Sequence, residues 1–169
     1  INLLTDGLPA LALGADPKSG DVMDRPPRDP DRGIIGRRML GVIGATGAVT
    51  TVVMLALMVF TLRGAAAVTP YAMTMVFTGF VFLEFEKLYV IRWLRETPML
   101  SNPWLAVAVA GSIALQFAVL YTPLNRYFGT VPLDPRDWGI IAVVLVVCLP
   151  LYLAIGAAIK RFTPWESSR

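Results

Sequence analysis

Histidine is absent from this 169-residue chain, and cysteine occurs once, at Cys148. The first absence excludes an imidazole metal site or a histidine proton relay, and the second excludes an intramolecular disulfide. Charge is scarce as well: Asp, Glu, Lys and Arg make up 16% of the residues, against about a quarter in soluble domains. Hydrophobic residues reach 56% and the mean hydropathy is +0.63, so the composition is that of an integral membrane protein. The formal charge of +3 does not point to nucleic acid, because the arginines cluster in gaps between apolar runs, where they act as a topology signal. The first apolar run starts at Ile1 with no basic leader and no cleavage site, which argues against a signal peptide and for a truncated span.

Five apolar segments separate along the chain, which predicts an all-α, polytopic membrane helix bundle. The first, Ile1 to about Gly14, is shorter than the roughly 20 apolar residues a span needs. The others run from about Arg38 to Leu62, Pro70 to Leu94, Pro103 to Tyr121 and Trp138 to Ile159. Strand alternation is missing and the lengths do not suit barrel strands. Residues 15–37 form a loop dense in Pro, Gly, Asp and Arg.

The basic residues set the orientation. If the spans alternate, Lys18, Arg25, Arg28, Arg32, Arg37, Arg38, Lys87, Arg92, Arg95, Lys160, Arg161 and Arg169 share one side. Only Arg63, Arg126 and Arg136 fall on the other. Cytoplasmic loops carry the excess, so the first loop, the third-to-fourth junction and the C-terminus are expected in the cytoplasm.

Two polar clusters interrupt the apolar runs. In "INLLTDGLPALALG", Asn2, Thr5 and Asp6 are spaced to share one helical face and all offer oxygen, the donor that hard cations such as Ca²⁺ prefer. Pro9 cannot bond the carbonyl of Thr5, and Gly7 eases unwinding, so a broken helix with free carbonyls is expected there. The alternative is a plain helix-end cap at the membrane surface. In "FLEFEKLYVIRW", Glu84 sits near mid-depth of the third span with Lys87 one turn on, while Glu86 points elsewhere. An intramembrane carboxylate is read first as functional. The alternative is an internal Glu84–Lys87 pair, with Lys87 otherwise snorkelling toward the headgroups. Gly41, Gly44, Ala45, Gly47 and Ala48 suggest a close-packing helix face, and Gln116 suggests an interhelical hydrogen bond.

"NLLTDGLPALALGADP" followed by "DVMDRPPR" resembles the sixth transmembrane helix and following loop of P-type cation-transporting ATPases, especially calcium pumps. The likeness continues through "MTMVFTGFVF", "NPWLAVAV" and "TVPLD", so it covers nearly the whole chain as the sixth to tenth helices. It implies that Asn2, Thr5 and Asp6 are ion ligands, that Glu84 is the eighth-helix carboxylate ligand, and that Asp16–Arg32 helps couple the ion sites to the phosphorylation domain. Lys87 departs from the pattern, since two-site pumps carry a neutral residue there. It further implies transport of Ca²⁺ out of the cytoplasm, with Na⁺, H⁺ or Mn²⁺ as alternatives, and ATP and Mg²⁺ bound outside this segment. The phosphorylated aspartate, the nucleotide-binding and actuator domains and the first five helices of such a pump are not within these residues, so the remainder of the pump and the lipid bilayer are the expected partners. A non-catalytic membrane anchor is the reading from another class.

Overall fold

The computed structural model describes residues 2–15, 36–94, 97–98 and 101–162, with the side chains of residues 2–6, 37–38 and 162 left aside. Six helices follow in order: α1 (Asn2–Gly14), α2 (Arg37–Leu62), α3 (Pro70–Leu94), α4 (Pro103–Tyr121), α5 (Asn125–Phe128) and α6 (Pro135–Phe162). No strand occurs among the described residues. Three of the helices are long and apolar enough to cross a membrane, with the spans Met39–Leu62, Pro103–Tyr121 and Pro135–Arg161. The 25 residues of α3 are long enough too, but Glu84, Glu86 and Lys87 interrupt their apolar character.

Local chemistry sets the helix ends. α3, α4 and α6 each begin on a proline, whose missing N–H would be unpaired at that position anyway. Asn102 caps α4 by accepting from the N–H of Leu105 at 3.1 Å. Past α2, Arg63 and Gly64 take positive φ values of 50° and 83°, which turns the chain sharply toward α3. The short α5 lies where the sequence predicts only a turn-rich loop. It closes on Gly129 at φ 64°, and no side chain within it is buried, so it leaves no apolar periodicity to read.

α3 is the centre of the bundle. It packs against α2 and α6, while α1 lies mainly on α4. One cluster joins Met54 and Leu57 of α2 to Met75, Leu83 and Val90 of α3 and to Ile141, Cys148 and Tyr152 of α6. A second joins Ala12 of α1 to Val81 and Phe85 of α3 and to Leu105 and Val109 of α4.

The outer surface of the bundle is largely apolar, while several polar side chains are buried among the apolar clusters. Gln116, Thr78 and Ser112 are 0% exposed, whereas Val146 is 72% and Val59 71% exposed. Outward apolar side chains and inward polar ones suit a hydrocarbon surrounding. The expected interhelical bond of Gln116 is present, its Nε2 donating to Thr78 Oγ1 at 3.0 Å.

Two expectations need correction. α1 is not broken at Gly7 and Pro9 but stays helical from Asn2 to Gly14 with Pro9 inside it. Loss of the single bond from residue 9 to the Thr5 carbonyl does not unwind a membrane helix whose other bonds persist. The small-residue face of α2 also finds little to pack against among the described residues. Gly41 approaches Ile159 of α6, while Gly44 and Gly47 face open space. The α2 face that packs carries Thr50, Met54, Leu57 and Thr61, spaced along one stripe. Close approach occurs instead at Gly79, where an added Cβ would lie 3.1 Å from Leu57, and at Gly156, which abuts Leu94.

Candidate functional site: polar groups on α1 and α3

The two ends of the bundle are fixed by different chemistry. At one end, Asn102 Nδ2 donates to the carbonyl of Ala12 at 2.7 Å, tying the last turn of α1 to the start of α4. Nearby Arg92, 3% exposed, donates to Pro98 O at 3.0 Å and to Ser101 Oγ at 2.8 Å, bracing the connection from α3 to α4. At the other end Tyr71 donates to Asp137 Oδ1 at 2.6 Å, and the N–H of Val131 donates to Thr74 Oγ1 at 3.1 Å. Trp138 stacks on Phe117 with ring centres 5.0 Å apart, and its Nε1 donates to Tyr121 OH at 2.6 Å. α3 and α6 therefore run in the same direction, while α4 runs opposite to α1 and α3.

Of the candidate ion-binding groups, Glu84 lies between these ends on α3. The side chains of Asn2, Thr5 and Asp6 lie outside the described residues, as does the loop at Asp16–Arg32. What is described is the helix that bears them. Ala12, one of its buried residues, belongs to the same apolar cluster as Val81 and Phe85, which lie on either side of Glu84 in the sequence of α3.

On α3, Lys87 Nζ meets Glu84 Oε1 at 2.5 Å, with the two side chains 17% and 32% exposed respectively. The ammonium also lies 5.7 Å from the centre of the Phe80 ring. Phe80, Glu84 and Lys87 follow one another at i, i+4 and i+7, so one helical face carries all three. The internal Glu84–Lys87 pair is thus formed.

Glu86 points to another side, as its position on the helix requires. Both carboxylate oxygens are buried and have no hydrogen-bond partner among the described residues. They are within electrostatic reach of Cys148 and Tyr152 on α6. There Tyr152 OH and Thr50 Oγ1 share a hydrogen bond of 2.8 Å between α6 and α2. Among the described residues no group of three or more His, Cys, Asp and Glu is placed to hold a metal ion.

Residues 1–162 match the family model described as "Cation transporting ATPase, C-terminus". The chain belongs to the cation-transporting ATPases. A "Calcium-transporting ATPase" of Bacillus subtilis (strain 168) is 33% identical over 167 residues, which is 95% of this chain and 18% of that protein. The chain thus spans about a fifth of the length of its curated relative and corresponds to the C-terminal part of a P-type ATPase. In such an ATPase segment the bracing roles of Arg92 and Asn102 were not legible from the sequence. Arg92 reads there as one more topology charge, and Asn102 only as a turn residue. An Asn directly before a Pro-initiated helix is a capping signal that marks Asn102 in retrospect.

Proposed function

We propose that this chain is the C-terminal membrane domain of an ATP-driven pump that moves Ca²⁺ out of the cytoplasm. The match of residues 1–162 to the C-terminus of cation-transporting ATPases carries the reading. Calcium is favoured by the name of the Bacillus relative and by the oxygen-only character of the α1 cluster. Zinc or copper would call for thiolate and imidazole, and the chain has one cysteine and no histidine.

In this reading Asn2, Thr5 and Asp6 supply an amide oxygen, a hydroxyl and a carboxylate from α1. Glu84, the α3 carboxylate that the resemblance makes a ligand, is already paired with Lys87 and stands outside this ligand set. The Thr5 carbonyl, which no N–H of residue 9 can reach, is a further oxygen at the same level. The spans expected on charge grounds place the C-terminus in the cytoplasm, so α1 enters from outside and ends at Gly14 on the cytoplasmic side. Phosphorylation of the parent protein by ATP shifts α1 and so changes the access and affinity of Asp6. After release outside, a proton or water takes the place of the ion on that carboxylate. The remaining walls of the site come from the rest of the pump.

Asp6→Asn in the intact pump tests the assignment. The amide keeps the shape and removes the charge, so Ca²⁺-dependent phosphorylation by ATP is expected to vanish at micromolar Ca²⁺. Unchanged phosphorylation would leave α1 as a packing and anchoring element only. If Na⁺ or Mn²⁺ in place of Ca²⁺ supports phosphorylation of the unmodified pump, the ion assignment moves accordingly.

A further inference from the structure

We infer that Lys87 is a resident cation for Glu84, so that the charge of Glu84 is balanced by a tethered ammonium and not by a transported ion. The inference rests on the reading of this segment as part of an ion pump and specifies the role of one of its carboxylates.

The direction of the Lys87 side chain carries the argument. A lysine near the end of a membrane helix ordinarily stretches toward the closest headgroups. For Lys87 those lie beyond Leu94, where α3 ends. The ammonium instead turns back along the helix to Glu84 and Phe80. Glu84 lies about 4.5 Å further along the axis, away from the Leu94 end. Lys87 therefore carries its charge deeper into the apolar layer, which is unfavourable unless the destination holds compensating groups. A carboxylate oxygen at 2.5 Å and an aromatic face at 5.7 Å are those groups. The side chain is only 17% exposed, so little water competes with either contact.

A transported ion that sought Glu84 would have to displace a group that is always present and linked to the same helix turn. A tethered partner of this kind acts at a high effective concentration whatever the ion level outside. Glu86, the other carboxylate of this stretch, points elsewhere and makes no hydrogen bond among the described residues, so it does not draw Lys87 away. Glu84 thus keeps a cation that never leaves, and the transported charge is met by Asp6 and by groups elsewhere in the pump.

Three forms of the intact pump test this: the unmodified protein, Lys87→Met, and the neutral pair Glu84→Gln with Lys87→Met. Radiolabelled Ca²⁺ bound per phosphorylation site and the Ca²⁺ concentration for half-maximal phosphorylation are the readouts. The neutral pair is expected to bind the same number of ions and to shift half-activation by less than about threefold, because carboxylate and ammonium are removed together. Lys87→Met alone leaves Glu84 bare and is expected to shift half-activation by at least about tenfold. A neutral pair that loses a bound ion, or that shifts as much as Lys87→Met, overturns the inference. Should Lys87→Met not fold, the neutral pair decides the matter alone, and Lys87→Arg, which keeps the charge, is expected to behave as the unmodified pump. The two failures are separable. Normal phosphorylation in Asp6→Asn removes the ion-site reading, whereas ion loss in the neutral pair removes only the role of Lys87.

Discussion

Gly156→Ala is the sharpest test of the packing between α3 and α6. Gly156 is buried in the last third of α6, facing Leu94 at the end of α3. A methyl group added there would stand 2.7 Å from one Leu94 methyl and 3.0 Å from its Cγ, with the other methyl nearer still. Carbon atoms settle at about 3.5–4.0 Å, so Leu94 must turn away or the helices must part by close to an ångström. Overpacking of this kind costs about 1–3 kcal/mol, which outweighs the gain of up to about 1 kcal/mol that Ala brings over Gly in a helix. Gly44→Ala is the matched control, since nothing lies within 4 Å of that position among the described residues. Unfolding of the purified pump in detergent is the assay. Gly156→Ala is expected to lower stability, Gly44→Ala to leave it equal or raised, and Gly156→Ala with Leu94→Ala to recover part of the loss. Equal stability of the two alanine variants would refute the reasoning that Leu94 has no room to turn aside.

Asn102→Ala removes both the cap of α4 and the bond to the Ala12 carbonyl, so a loss of about 1–2 kcal/mol is expected by the same assay. Because that bond also holds α1, the apparent Ca²⁺ affinity of phosphorylation should fall with it. Unchanged affinity would detach the anchor from the ion site. Tyr152→Phe breaks the bond to Thr50, and interhelical hydrogen bonds in membranes average about 0.6 kcal/mol, so a small loss is expected. A loss beyond about 2 kcal/mol would show that the hydroxyl serves more than Thr50. Gln116→Leu exchanges a buried amide, whose Oε1 has no partner among the described residues, for an apolar side chain of similar size. The lost bond to Thr78 and the removed desolvation offset each other, so a change within about 1 kcal/mol is expected.

Much of the helical scaffold was legible because apolar length and proline starts are local signals. The sequence-based limits of α3 and α4 coincide with the structure, and α2 differs by one residue. α6 extends from Pro135 to Phe162, further at both ends than its apolar run, because a helix continues into the polar zone while its backbone bonds persist. The likeness of "TDGLPA" to pump sequences pointed to the family that the match to residues 1–162 establishes. What local signals could not give was choice of partner. The small residues of α2 say that something can approach closely but not which helix does, and the actual close contacts at Gly79 and Gly156 sit on isolated glycines. Likewise the sequence put Lys87 within reach of Glu84 and of the headgroups alike. Only the three-dimensional position of its ammonium distinguishes the two.

The most direct test of the central claim is a count of Ca²⁺ bound to the intact pump before and after Asp6→Asn, at a concentration that saturates the unmodified protein. The account predicts that the variant, still folded by its detergent unfolding profile, loses bound Ca²⁺ and with it ATP-dependent phosphorylation. An Asp6→Asn pump that binds the same number of ions with the same affinity would contradict it.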